Sequence, residues 1–340
     1  MSESLERKSA LPWTWVAAAG GLALALAAAV WAPDRTYETL VFVVEGLVQV
    51  APLVIPGILL AAWVAASGAG DRIANAFSGR QLRTVLVASL IGAVTPVCGV
   101  TVLPLMAGLL ASGVPLAPIM AFWLSSPVTD PAMLATTAAT LGFGFALGKT
   151  LAAFGLGLFG GLVTVALSKR AWTQTPLRSN RLVGALSQQG CCGSGAFEPA
   201  VWRTSEGRRI FRRDSLAITR LILICLIPAF AAEHLLNALL QPDALSTYVG
   251  SDSWWAVPLA VFVGAPAYLD GYAALPLTRG LMDHGMSPGA AMAFLVSGGV
   301  VSIWGAMAIF PVLKLKPFLL YLALAVTGSL AAGWAYGFVA

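Results

Sequence analysis

Apolar residues run along this chain in blocks of about twenty or more, separated by short polar connectors. The blocks fall at 13–31, 40–66, 84–111, 116–142, 147–167, 215–240, 254–280, 287–313 and 317–338. A helix of about 20 apolar residues crosses the roughly 30 Å of hydrocarbon in a bilayer. Strands of a membrane barrel would instead alternate apolar and polar positions in short segments, and no such alternation is present. The pattern therefore predicts an all-α membrane protein. Four of its blocks are interrupted, near Pro96, Pro127, Pro266 and Gly298, which predicts broken transmembrane helices and re-entrant hairpins.

Composition points the same way. Hydrophobic residues make up 58% of the chain and charged residues 10%, against roughly a quarter charged in soluble domains. The block 13–31 follows a start holding Arg7 and Lys8 and has tryptophans at both ends, Trp13 and Trp31. It is longer than a signal-peptide core and reads as a retained, interface-anchored helix. The long polar segment, 168–214, carries Lys169, Arg170, Arg178, Arg181, Arg203, Arg208, Arg209, Arg212 and Arg213. Basic connectors stay in the cytoplasm, so this segment is placed there, with the connector holding Arg72, Arg80 and Arg83. The stretch 241–252 has Asp243 and Asp252 and no Lys or Arg, and is placed outside. The formal net charge of +5 is thereby a topology signal, with no nucleic-acid partner implied. Four regions follow: an N-terminal helix and connector at 1–38, a first transmembrane repeat at 39–167, a cytoplasmic basic linker at 168–214, and a second transmembrane repeat at 215–340.

Sliding the chain on itself by 172 residues lays Leu103-Pro104-Leu105 on Leu275-Pro276-Leu277, Gly113 on Gly285, Ala121-Phe122 on Ala293-Phe294 and Ser125 on Ser297. After a four-residue slip, Gly160 falls on Gly328 and Leu162 on Leu330. The repeated unit covers roughly 84–167 and 254–337. One copy starts after cytoplasmic Arg83 and the other after outside Asp252, so the repeats are expected to have inverted topology. That construction recurs in secondary transporters, whose substrate site lies near the midplane where broken helices of both repeats meet. Within each unit one of the two interrupted blocks must turn back. Keeping Arg279 cytoplasmic favours 84–111 and 254–280 as crossing helices and 116–142 and 287–313 as hairpins.

The interruptions carry the candidate chemistry. Thr95-Pro96-Val97-Cys98-Gly99-Val100-Thr101 removes helical donors and frees carbonyls, which survive at membrane depth only inside protein or beside a wet cavity. Thr95, Pro96, Cys98, Gly99 and Thr101 are candidate substrate contacts. Ser125, Ser126 and Thr129 join them from Ser125-Ser126-Pro127-Val128-Thr129-Asp130-Pro131, and Tyr268, Tyr272, Ser297 and Ser302 from the second unit. An acidic group inside the bilayer is costly and functional by default, so Asp130 and Asp270 are candidate proton-coupling residues, with Glu45 beside Gln49, Pro52 and Pro56 as a third. Asp130 before Pro131 also suits a helix cap. Glu233 and His234 lie near the outer end of their block and read as interfacial. Cys191-Cys192 could capture a soft metal as thiolates, although adjacent cysteines alone do not make a structural zinc site; Cys225, amid leucines and isoleucines, reads as packing. The four cysteines are too scattered for a disulfide framework. No Gly-x-x-x-x-Gly-Lys-Ser/Thr, His-Glu-x-x-His or Gly-x-Ser-x-Gly pattern occurs, so ATP drive and common metal-dependent chemistry lose support and no cofactor is expected.

Pro96-Val97-Cys98-Gly99, then Pro104-Leu105, Ser-Gly-Val-Pro at 112–115, Ala121-Phe122, Ser126-Pro127 and Asp130-Pro131 together resemble the bacterial permease family that includes the trivalent organoarsenical efflux permeases. The resemblance covers about 40–338. Relatives in that family commonly have Pro-x-Cys-Ser-Cys at the first break and Asn where this chain has Asp130; here Cys98 matches the first cysteine and Val100 stands in place of the second. What the resemblance implies is an efflux permease of a bacterial inner membrane, multi-pass, with Cys98 and Asp130 at its centre. The function expected is proton-coupled secondary transport of a soft metal or metalloid species such as a trivalent organoarsenical. An inorganic sulfur or organic anion is the alternative substrate, and a membrane-anchored enzyme or assembly subunit the alternative class. The expected partners are the lipid bilayer, the small-molecule or ion substrate and protons, with a homo-oligomer left open.

Overall fold

Proline and glycine set where the apolar blocks stop being helical. The computed structural model describes residues 32–69, 81–95, 99–111, 113–178, 198–239, 255–264, 274–301, 306 and 309–340. Cys98, Pro96, Tyr268, Asp270, Tyr272, Ser302, Cys191 and Cys192 lie outside the described residues, as do the side chains of Thr101, Cys225 and Glu233 and the surroundings of Gly99. The described elements are helices: α1 Pro33–Ser67, α2 Gln81–Val94, α3 Gly99–Ala111, α4 Leu116–Ser125, α5 Pro131–Leu141, α6 Phe143–Ala166, α7 Ala171–Gln174, α8 Ser205–Leu239, α9 Ala256–Gly264, α10 Ala274–Asp283, α11 Pro288–Val300 and α12 Leu315–Val339. Prolines open α1, α5 and α11 at their first turns, where the missing N–H has no helical acceptor to lose. By length and composition α6 and α12 can each cross a membrane, while α2, α4 and α11 are shorter apolar helices. The described residues form an all-helical membrane protein.

Small residues bring the helices together. A Cβ on Gly161 would come within 2.9 Å of Ala121 Cβ and closer still to Val85, and one on Gly157 within 2.7 Å of the Ala121 carbonyl. In the second half Gly333 stands between Ala293 and Val257, at 2.7 and 2.8 Å from a notional Cβ. Gly92 likewise abuts Phe122 and Ser125, and Gly264 abuts Phe294 and Ser297. The contacts of Gly161 and Gly92 are carried into those of Gly333 and Gly264 by the same 172-residue offset, as are the first residues of α4 and α11 and of α6 and α12. Gly113 and Gly285, at φ 89° and 102°, occupy equivalent left-handed turns that favour glycine. The offset thus runs through α6 and α12 without the four-residue slip. Gly160 lies against Leu124 of α4, with Leu324 at 3.8 Å from a notional Cβ, whereas Gly328 lies against Leu156 of α6, so the two glycines do not hold equivalent places. In glycine-rich helices several registers share identities, and contacts decide between them.

Contacts along α6 also give direction. Gly161 meets Ala121, Gly157 meets Ser125, and Lys149 meets Met133, so α4 and α5 follow one another down the length of α6, antiparallel to it. Residues 116–142, expected to turn back, instead run through as one broken rod. Val85 opposite Gly161 and Ser89 opposite Gly157 give α2 the same direction as α4, and the short link 112–115 returns α3 to the end where α4 starts. The reasoning that favoured the other arrangement needed Arg279 to be a free topology charge. Arg279 is ion-paired with Asp283 at 3.0 Å, both side chains exposed.

Gly148 packs on Tyr336 and Gly328 on Leu156, so α12 is antiparallel to α6. The long helices α1 and α8 pack together beside this bundle. Near one end of that pair the Glu198 N–H donates to the Ser67 carbonyl (3.1 Å) and Trp63 Nε1 to the Pro199 carbonyl (2.9 Å). Where α6 ends and α12 begins, Arg178 donates from its backbone to Val312 (2.9 Å) and from Nε to Leu313 (2.6 Å), and the Lys314 N–H donates to Pro176 (2.8 Å).

Candidate functional site

The break between α4 and α5 is built from residues 126–130. Ser125, fully buried, turns its hydroxyl back onto the Ala121 and Phe122 carbonyls at 2.9 and 3.1 Å. Thr129 reaches across to α2 and donates to the Ala93 carbonyl at 2.9 Å, supplying a donor at the end of that helix. Thr95, next along, donates to Ile91 at 2.5 Å within its own helix end. Asp130 caps α5, its Oδ1 accepting from the Met133 N–H at 2.8 Å, as a carboxylate at the N-cap should. Ser126 is buried and its Oγ has no hydrogen-bond partner among the described residues.

Beside the break stands a residue that sequence reading passed over. Lys149 projects from the second turn of α6, is 2% exposed, and places Nζ 3.0 Å from Met133 Sδ. It also interacts electrostatically with Asp130. A lysine inside an apolar block is rare and functional by default; placed two positions into the block 147–167, it looked terminal. The helix actually starts at Phe143, so the ammonium is carried inside the bundle.

Lys149 and Met133 line a small cavity with Pro127 and Val128, closed on the other side by Gly264, Ala274, Phe294, Leu295, Gly298 and Gly299. It has room for about one water molecule. The cavity thus lies between the first unit's break and the second unit's α9, α10 and α11. The two sides touch closely: a Cβ on Gly299 would sit 2.7 Å from the Pro127 carbonyl.

Of the candidates named from sequence, Ser125, Ser126, Thr129 and Asp130 gather at this break, while Thr95 ends the α2 that Thr129 grips. Ser297 holds the equivalent place in the second unit, fully buried and bonded to Phe294 at 3.1 Å. Glu45 is exposed on α1 and lines no part of the cavity. His234, read as interfacial, shares a 3.0 Å hydrogen bond with Thr39 and packs on Phe42 with ring centroids 5.1 Å apart. Among the described residues no group of three or more His, Cys, Asp or Glu is arranged to hold a metal ion.

A bundle of apolar helices with a buried lysine beside a helix break marks a membrane protein. A family model described as "Predicted permease" matches residues 37–338, and the chain belongs to that family. It is similar to a UPF0718 protein of Methanocaldococcus jannaschii, 25% identical over 297 residues that cover 74% of this chain and 81% of the relative. No solved structure matches it.

Proposed function

We propose that this protein is a multi-pass, proton-coupled secondary permease of a bacterial inner membrane, built from two inverted-topology repeats, with its solute site at the cavity between them. The observation that carries the reading is the burial of Lys149 beside the α4–α5 break, where that break meets α10 and α11 across a small cavity and half-buried Asp130 caps α5. Inversion is supported by α6 and α12, which hold equivalent places in two similarly packed units and run antiparallel. Such repeats commonly form transporters with midplane sites. In this arrangement 81–111 is the re-entrant segment of the first repeat, and the basic linker lies in the cytoplasm.

For the substrate, the resemblance supports efflux of a soft metal or metalloid species such as a trivalent organoarsenical, with Cys98 as the thiol contact and Asp130 and Asp270 as proton carriers. Lys149 favours a second reading, a small inorganic sulfur or organic anion. Flux into proteoliposomes across arsenicals, metals and anions separates them. On the metalloid reading, Cys98→Ser lowers transport of a thiophilic substrate far more than Cys225→Ser does, with thermal stability nearly unchanged; equal transport by both variants would remove the thiol's role. Absence of flux for every solute would instead favour an enzyme or assembly subunit.

A further inference from the structure

Lys149 is more than its helix needs. Its counterpart at the 172-residue offset is Tyr321, whose hydroxyl donates to the Val300 carbonyl at 2.7 Å, and Val300 is the counterpart of Val128. A neutral hydroxyl is thus enough to satisfy a freed carbonyl at such a break. The first unit has an ammonium there instead, with three donor hydrogens and, as its hydrogen-bond acceptor among the described residues, the Met133 thioether. A thioether is a weak acceptor. A charge so enclosed is costly unless paired and hydrogen-bonded, so the ammonium retains donor capacity that the described side chains do not fill.

The surroundings restrict what can fill it. Asp130 is the charged group that interacts with Lys149, while its Oδ1 also caps α5. Helices α4, α5 and α11 carry no other charged residue, and α2 carries Arg83, exposed near its far end. On α12, Tyr321 is bonded to Val300 and Tyr336 packs edge-on to Phe145 at 5.1 Å, and Lys316 is exposed at the first turn. On α10, Arg279 and Asp283 neutralise each other. Among the described residues the rest of the cavity wall is apolar side chain and glycine, a medium that tolerates no net charge; Asp270 lies outside the described residues.

We infer that the Lys149 ammonium binds a small anion in this cavity, and that Asp130 is its resident counter-ion, displaced when the anion enters. The inference rests on the permease reading of the same site and names its substrate class. The exchange balances: Asp130 takes up one proton and becomes neutral, a monoanion takes its place beside Lys149, and the cavity's net charge is unchanged. One proton accompanies each monoanion, which makes its transport electroneutral, whereas a dianion such as thiosulfate carries one net negative charge across. The cavity as it stands is the closed form, and α5 must part from α10 and α11 to admit the anion.

The test is uptake by the full chain in proteoliposomes of three anions, methanesulfonate, thiosulfate and inorganic phosphate, with neutral arsenous acid as comparison. At least one anion should enter saturably, and Lys149→Met should lower its uptake by about tenfold to a hundredfold, the value of a charge-assisted hydrogen bond, while Lys149→Arg retains part of it. Methanesulfonate and thiosulfate keep their charge between about pH 6 and 8, so their pH profiles report on the protein. Wild-type uptake should fall as pH rises. Asp130→Asn keeps the helix cap and should remove the proton that enters with the anion, read with a pH-sensitive dye inside the vesicles, without abolishing anion binding, read by tryptophan fluorescence. Arsenous acid uptake without anion uptake, or anion uptake unchanged in a folded Lys149→Met variant, overturns the anion assignment and leaves the permease reading standing. No uptake of any of the four overturns both.

Discussion

At the level of single residues, the α4–α5 break is held by three contacts of different kinds: a hydroxyl to a neighbouring helix, a carboxylate to its own first turn, and an ammonium beside a thioether. The first can be tested alone. Thr129→Val preserves shape but leaves the Ala93 carbonyl without its donor, and should destabilise the protein by about 1–3 kcal/mol, seen as a lower thermal midpoint in detergent. An unchanged midpoint would mean that the tie contributes nothing. Asp130 was legible in sequence, because a carboxylate between prolines in an apolar block has few benign explanations, and its capping role came with it. Lys149 was not. It lies near the start of its block, where lysines usually reach the interface, and only the helix boundary at Phe143 shows that its head group is enclosed.

At the level of elements, glycine separates contact faces from open ones. Gly161 and Gly155 occupy the same helix, but a Cβ at 161 collides with Val85 and Ala121 while one at 155 meets nothing within 4 Å. Gly161→Ala should therefore destabilise by about 1–3 kcal/mol through overpacking. Gly155→Ala should stabilise by about 0.5–1 kcal/mol, because helical glycine is entropically unfavourable. Opposite signs in parallel melts would bear out the α2–α4–α6 packing, and equal effects would contradict it. The interruption near Pro127 was readable from its prolines and falls between α4 and α5, whereas α11 continues through Gly298 to Val300; the interruptions expected near Pro96 and Pro266 lie outside the described residues. The course of 116–142 along α6 was not readable, because charge alone pointed to the opposite arrangement. The i, i+4 pairing of Arg279 with Asp283 removes much of the topological weight that an isolated arginine carries.

At the level of the whole molecule, two units related by a constant offset enclose one cavity, each contributing a wall. The offset was visible in identities such as Ala121-Phe122 and Ala293-Phe294, while its continuation through the last helix was misplaced by four residues. Glycines recur there often enough to align in more than one way, and only the neighbours of Gly161 and Gly333 fix the register. What the sequence pattern could not convey was asymmetry: equivalent positions hold Lys149 in one unit and Tyr321 in the other, so one break is charged and the other neutral.

The central claim is that solute passes through the cavity between the units, which requires the two walls to separate. Met133 and Ala274 line it from opposite units. With the native cysteines replaced, a Met133→Cys, Ala274→Cys pair can be bridged by a reducible bifunctional thiol reagent, and uptake measured in proteoliposomes before bridging, after bridging and after reduction. The account predicts that bridging stops uptake and that reduction restores it. Uptake continuing at the unbridged rate through a fully bridged protein would contradict it.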